Sequence, residues 1–169
     1  NGISGFNRIA RLNADGTLDQ SFDTGTGFNE VISVLNVQTD GKIIAGGGFT
    51  FFNETWNLND LVRLNPDGTM DPTFNTGNGF EGGPGAVVFQ ADGKLIVGGL
   101  NTTAFGLEGV FLRLNTNGTI DPTFNTKTGF NNLVRSIVVQ PDGKILVGGD
   151  FTSFNGTAGI RYITRIHPD

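Results

Sequence analysis

The strongest constraint on the fold is that the sequence repeats itself about every 50 residues. An Arg-Leu-Asn triplet begins at Arg11, Arg63 and Arg113, and it returns in altered form at Arg165. Two other markers keep the same order: an Asp-Gly-Lys triplet at 40–42, 92–94 and 142–144, and an Asp-x-x-Phe segment that starts at Asp19, Asp71 and Asp121. Three independent markers in constant order indicate a stacked repeat architecture.

Each unit predicts two hairpins, and we name its four strands A to D. In the first complete unit the predicted strands are A (31–38), B (42–46), C (61–65) and D (69–74). Asp40-Gly41 between A and B suits a tight turn with positive φ, and Pro66-Asp67-Gly68 between C and D has the residue order of a turn. Strand B is apolar on both faces, which is expected of a small sheet packed between two others.

Four short antiparallel strands in each unit are typical of the blades of a β-propeller. A stacked β-solenoid is the alternative, but its coils are usually shorter and parallel, without two Asp-Gly hairpins. We therefore predict an all-β fold, a β-propeller built of four-stranded antiparallel blades, with about three blades of a larger ring. The predicted boundaries are 1–28 for the end of one repeat, 29–80 and 81–130 for two repeats, and 131–169 for an incomplete repeat.

The motif pattern also resembles a known family. R-L-N-x-D-G-T-x-D-P-T-F-N-T-x-x-G-F, followed by V-Q-x-D-G-K-I-L-V-G-G-x-F-T, is similar to the delta-60 β-propeller repeat, and it covers nearly the whole chain. Kelch blades have a pair of glycines at the same place as the pair that ends strand B, so the chain is similar to kelch proteins in architecture. The resemblance implies a propeller fold and a place in long secreted bacterial or phage proteins. It implies no catalytic residues.

Composition limits the possible partners. Eleven basic and sixteen acidic residues give a net charge of -5, which offers no cationic surface for nucleic acid. No apolar run approaches the roughly 20 residues that a membrane-spanning helix needs, so no membrane insertion is expected. The chain has no cysteine, which excludes disulfides, a thiolate zinc site and a cysteine nucleophile.

Residues required by every repeat are more simply structural than catalytic. His167, the only histidine, takes the repeat position of Asn13 and Asn65, so neither a histidine-based triad nor a zinc site is predicted. Residues 65–71 are superficially similar to a calcium loop, but Arg63 stands at the first ligand position. We expect an ion pair between Arg63 and Asp71 instead, and we predict no catalytic residue, metal or cofactor.

Function is expected where the units differ, chiefly in the loop between strands B and C. By strand order, this B–C loop and the D–A connection emerge on one face, and the Asp-Gly hairpins on the other. The candidate binding residues on the loop face are Trp56, Asn57, Asp60, Phe105 and Glu108. Exposed aromatic rings beside Asn and acidic side chains suit glycan or protein recognition, whereas packing of the rings between blades is the structural alternative. The second unit also has Gly83-Pro84-Gly85 in place of residues 31–33, on the same face.

We expect a non-catalytic structural and interaction module of a large extracellular bacterial surface protein, adhesin-like, or of a phage virion protein. The alternative is a carbohydrate-binding or glycoside-cleaving propeller acting through the B–C loop face, with Asp60, Glu81 and Glu108 as the non-repeated carboxylates. Because both ends of the sequence fall inside a repeat, the expected partners are further blades from the same longer chain or from another chain. A protein or a glycan is the other expected partner.

Overall fold

The computed structural model describes residues 8–58, 60–77, 79–80, 82–99, 111–124, 126 and 128–167. The strands are β1 (Ile32–Val37), β2 (Ile43–Gly47), β3 (Phe51–Phe52), β4 (Thr55–Trp56), β5 (Leu61–Leu64), β6 (Pro84–Phe89), β7 (Leu95–Gly99), β8 (Phe111–Leu114), β9 (Val134–Val139), β10 (Ile145–Gly149), β11 (Ser153–Phe154), β12 (Thr157–Ala158) and β13 (Ile163–Ile166). The described part of the chain contains no helix with the length and apolar character that a membrane crossing requires.

The longer strands form three antiparallel sheets, one for each repeat. Blade I has the order β1-β2-β5, blade II has β6-β7-β8, and blade III has β9-β10-β13. These strands are the predicted A, B and C in the predicted order. The A strands of successive blades lie against each other, since β1 packs on β6 and β6 packs on β9. The predicted all-β fold of a partial propeller is confirmed.

All three sheets have the same register, including the same irregularity near the start of strand A. The residue left out of the pairing is Ser33 in blade I, Gly85 in blade II and Arg135 in blade III. A bulge at one repeat position is therefore part of the blade design. Gly83-Pro84-Gly85 does not interrupt the strand, because β6 begins at Pro84, a position where a strand tolerates proline.

Strand D differs from the prediction, because blades I and II each contain only a single bridge in its place. In blade I, Met70 pairs with Leu64, and the chain then leaves the sheet. Pro72 has no N–H to donate to a ladder, and the carboxylate of Asp71 accepts the N–H of Thr73 at 2.9 Å, so a local turn replaces strand pairing. The equivalent bridges are Leu12 with Leu18 and Leu114 with Ile120.

The glycine pair that ends strand B allows neighbouring blades to pack closely. A Cβ atom on Gly46 would overlap the ring of Pro84 in blade II, and one on Gly98 would lie 2.5 Å from Val134 in blade III. Strands β2 and β7 are buried at every position, as expected of strand B between two other sheets. The core therefore consists of the layers between blades.

The B–C loop is more regular than the sequence suggested, because it contains a two-stranded hairpin in the first and third units. Strand β3 pairs with β4, and β11 pairs with β12. Both central residues of each turn have positive φ, with 39° and 67° at Asn53-Glu54 and 49° and 77° at Asn155-Gly156. Positive φ at both positions is the geometry of a type I′ turn.

The turn between strand C and the bridge that follows is bonded to the preceding repeat. The N–H of Asp23 donates to the carbonyl of Asp67 at 2.8 Å, and the N–H of Asn75 donates to the carbonyl of Asn117 at 2.9 Å. A Cβ atom on Gly68, where φ is 93°, would lie 2.7 Å from the carbonyl oxygen of Asp23. Glycine is required here for its backbone conformation and for the close approach of the backbone of the preceding repeat.

Substitutions at equivalent turn glycines separate these two requirements. Gly16 has the same conformation, with φ at 83°, but a Cβ atom there would meet nothing within 4 Å. Gly16→Ala should therefore cost about 1 kcal/mol for its left-handed conformation, and Gly68→Ala about 2 kcal/mol more for overpacking. Urea unfolding of both variants measures the difference. Equal losses would contradict the close contact of the Gly68 turn with the preceding repeat.

Candidate functional site

A cluster of charged side chains recurs at the outer edge of the blades. In blade I, Nε of Arg63 and Nζ of Lys42 both donate to Oδ2 of Asp71, at 2.8 Å and 2.7 Å. Arg63 and Asp71 are both buried. The predicted ion pair between them is confirmed, and the structure adds Lys42 from the turn before β2. Arg113, Lys94 and Asp121 repeat the arrangement in blade II.

This cluster keeps its carboxyl groups ionised. Burial alone would raise the pKa of Asp71, but hydrogen bonds from Lys42, Thr73 and Arg63 outweigh burial and hold the pKa well below its ordinary value of 3.8. Hydrogen bonds from Lys94 and Thr123 lower the pKa of Asp121 in the same way. An ionised carboxylate held by two cations is a structural anion and not a proton donor at neutral pH.

The arginine of the cluster also joins one blade to the next. Nη1 of Arg63 donates to the backbone oxygen of Thr116 in blade II at 2.6 Å, and its guanidinium carbon lies 4.9 Å from the ring centroid of Phe74. Arg11 makes the equivalent contacts with the backbone oxygen of Pro66 and the ring of Phe22. The repeated Arg, Asp and Phe are thus parts of one framework.

On the B–C loop face, which lies opposite the Asp-Gly turns, the β3–β4 hairpin is fixed to the D–A connection that precedes it in the chain. Oδ1 of Asn29 accepts the N–H groups of Thr50 and Phe51 at 3.1 Å and 3.0 Å. The rings of Phe28 and Phe52 lie 4.5 Å apart. Asn131, Phe130 and Phe154 repeat these contacts around β11–β12. The hairpin therefore presents its side chains from a fixed backbone.

Trp56 lies on the outside of this hairpin. Trp56 is 68% exposed, and the centroid of its ring is 4.5 Å from that of the Phe51 ring. Asn57 beside it is also exposed, and its side chain forms no hydrogen bond with another described residue. The alternative in which the Trp56 ring is packed between blades is wrong, because the ring faces solvent.

The third unit has the same hairpin without these side chains. It carries Ser153, Ala158 and Gly159 where the first unit carries Phe51, Trp56 and Asn57. The backbone is alike, since φ is 62° at Asn57 and 89° at Gly159. The framework of the hairpin therefore does not require the aromatic pair, which the third unit lacks.

Asp60 requires a correction, because it is buried and not part of the exposed loop face. Oδ2 of Asp60 accepts the N–H groups of Gly82 and Gly83, each at 3.1 Å. Burial raises the pKa of Asp60, against the smaller lowering effect of these two bonds. Asp60 is a structural residue that ties blade I to the segment entering blade II.

The other candidate residues, Phe105 and Glu108, lie outside the described residues, as does Glu81. Within the ranges that the structure describes, no group of three His, Asp or Glu residues is arranged to hold a metal ion.

A cleft of about 260 Å³ lies beside Asn57, between β5 and residues 70–77. It occupies the place where a full strand D would have paired with β5. Leu58, Leu61 and Phe74 supply apolar walls, and Asn57, Asn75 and Thr76 supply polar groups. The departure of the chain from the sheet after Met70 therefore opens a small amphipathic cleft next to the exposed hairpin.

Sequence reasoning missed two residues that hold these arrangements. Lys42 was used only as a marker of the turn, although its recurrence with Asp71 could have suggested a charge pair. Asn29 was not considered, although Gly-Phe-Asn occurs at both 27–29 and 129–131. Residues 79–81 read Gly-Phe-Glu, so the second unit lacks this asparagine.

Comparison with known families gives one match. The model of a family described as a domain of unknown function (DUF5122) β-propeller matches residues 1–22, 38–74, 90–124 and 140–169. The two central segments, 38–74 and 90–124, each begin at the glutamine after strand A. Each ends at the phenylalanine whose ring packs against the arginine, so each contains the complete charged cluster. No curated protein matches the sequence.

Asp60 and Asp71 should have opposite effects on the pH dependence of stability. The folded pKa of Asp71 is below 3.8, so its contribution is complete above that pH and is lost as the pH falls towards the folded value. The folded pKa of Asp60 is raised, so its ionised form lowers stability as the pH rises through that value. Asp60→Asn should therefore stabilise the chain at pH 7, with a gain that shrinks in acid, because an amide oxygen still accepts both N–H bonds.

Asp71→Asn is the matched control for this test. It should lose about 3 kcal/mol at pH 7, because it leaves Arg63 buried without its anion, and the loss should shrink below pH 4. Urea unfolding between pH 3 and pH 7 measures both effects. Parallel losses in the two variants at pH 7 would contradict the assignment of Asp60.

Proposed function

Because the chain belongs to the DUF5122 β-propeller family, we propose that it is a non-catalytic scaffold whose B–C loop face binds a partner. The observation that carries this proposal is the exposed Trp56 on a hairpin whose backbone is fixed from below. Exposed tryptophan at a rigid position is a common anchor of binding, because little side-chain freedom is lost on contact.

The distribution of repeated and non-repeated residues supports this division of roles. The repeated carboxylates of the clusters neutralise Arg and Lys, and turn carboxylates such as Asp15 and Asp67 accept bonds from neighbouring Thr residues. These groups stabilise the blades. The side chains that change between units, Phe51 and Trp56 in particular, are free to serve recognition.

We place this scaffold in a large extracellular bacterial surface protein, adhesin-like, or in a phage virion protein. The placement rests on the similarity of the motif pattern to delta-60 repeats. A chain without cysteine suits it, because stacked repeats can replace disulfides as the source of stability.

We also propose that a further blade of the same kind covers the outer face of blade III. Ile163 on this face is 67% exposed, whereas Leu61 and Phe111 at the same repeat position are 2% and 1% exposed under the following blade. A Cβ atom on Gly148 would meet no atom closer than the carbonyl oxygen of Tyr162 at 3.8 Å, whereas one on Gly98 would lie 2.5 Å from Val134 of the next blade. Strand A of a further blade would therefore fit against this face.

Capture on a printed panel of surface polysaccharides and extracellular proteins tests the binding role. The variant F51S/W56A copies the third unit, so its hairpin should fold, and it should bind the captured partner at least about tenfold more weakly. The control Thr39→Ala changes an exposed residue on the opposite, Asp-Gly face and should bind like the parent chain.

Mass spectrometry of captured glycans tests the non-catalytic character. The expected result is capture without cleavage products. Equal capture by the parent and F51S/W56A, loss of capture in Thr39→Ala, or release of cleaved glycan would contradict the proposed function.

A further inference from the structure

We propose that the cleft beside Asn57 is a subsite for one ring of a neutral oligosaccharide, and that the rest of the ligand continues over the exposed ring of Trp56. This inference rests on the proposed function and identifies the chemistry of the ligand. It concerns the cleft between β5 and residues 70–77, which opens because the chain leaves the sheet after Met70.

The size of the cleft favours a single ring. Its volume of about 260 Å³ lies just below the roughly 300 to 1,000 Å³ of pockets that enclose a whole drug-sized ligand. One sugar ring or one side chain of a partner fits such a volume. A longer ligand would have to continue over the surface, where Trp56 is exposed next to the cleft residue Asn57.

The polar groups favour a sugar over a charged side chain. The charges in the wall, on Arg63 and Asp71, already bind each other at 2.8 Å, so the cleft presents no unpaired charge of its own to a ligand. Asn57 offers a whole amide, with donors and an acceptor, and it forms no hydrogen bond with the rest of the described chain. Oδ1 of Asn75 accepts the N–H of Gly77 at 2.8 Å, while its Nδ2 donates to no described group.

Together these groups match the two kinds of surface on a pyranose. The C–H face of the ring is apolar and suits an aromatic side chain or the walls formed by Leu58 and Phe74, whereas its hydroxyl groups both donate and accept hydrogen bonds, as an amide does. A sugar site of this kind uses amphipathic rings and amides, and this combination occurs at the first hairpin but not at the third, which has Ala158 and Gly159.

Trp56 provides the measurement, because it is the only tryptophan of the chain. The probes are the β-1,4-linked trisaccharides of glucose and of N-acetylglucosamine, titrated to about 10 mM, since a one-ring site is expected to have a Kd near 1 mM. At least one probe should change the Trp56 fluorescence in a saturable way. Asn57→Gly should weaken that probe about tenfold, and it should fold because Gly159 has the same backbone conformation.

Ala158→Trp is the second variant and tests the cleft separately from the ring. It places an indole on the third hairpin, where Gly159 replaces Asn57, and calorimetry should show no second binding site. An added site of equal affinity, or unchanged affinity in Asn57→Gly, would overturn the cleft subsite while leaving recognition through Trp56 intact. No saturable response to either sugar would overturn the sugar inference, and capture of a protein through Trp56 on the panel would then still support the proposed function.

Discussion

The blades are joined at their outer edges by a guanidinium that belongs to one blade and bonds to the backbone of the next. Asp71 and Thr73 hold Arg63 in position, the ring of Phe74 lies against it, and its remaining bond reaches the carbonyl of Thr116. The middle strand of each sheet is apolar on both faces and is buried at every position in blades I and II, so each blade depends on its neighbours to cover it. A buried ion pair adds little net stability compared with apolar packing, whereas the bond from Arg63 to the carbonyl of Thr116 ties the edges of two adjacent blades together.

The repeated contacts at the outer edges leave the B–C loop face free to vary in sequence. Because the outer-edge contacts are the same in successive units, the B–C loops do not have to hold the blades in register. Asn29 and Asn131 fix the bases of two of these loops, and exposed side chains above them differ, as Trp56 and Ala158 show. A rigid framework with variable loops on one face is the usual arrangement for recognition. The same departure of the chain at Pro72 that shortens strand D also opens the cleft beside Asn57.

Much of this fold could be predicted from the sequence, because turn chemistry and periodicity are local signals. Asp40-Gly41 located a hairpin, the apolar run 43–45 located a strand buried on both faces, and the spacing of Arg63 and Asp71 located their ion pair. Strand D was overestimated, because Pro72 lies inside the predicted strand and a proline there already argues against continued pairing. Asp60 was assigned to the surface because its partners, the N–H groups of Gly82 and Gly83, come from a different blade and leave no local signal.

Native-state hydrogen exchange at the amide of Asn75 tests the coupling between blades most directly. Asn75 lies in a loop with an exposed side chain, and its N–H is protected only by the carbonyl of Asn117 in the next blade. If the blades are joined as described, this amide should exchange nearly as slowly as the core strands, and Arg63→Lys should speed its exchange at least about tenfold. Exchange of Asn75 at the rate of an open loop in the parent chain, or an unchanged rate in Arg63→Lys, would contradict the account.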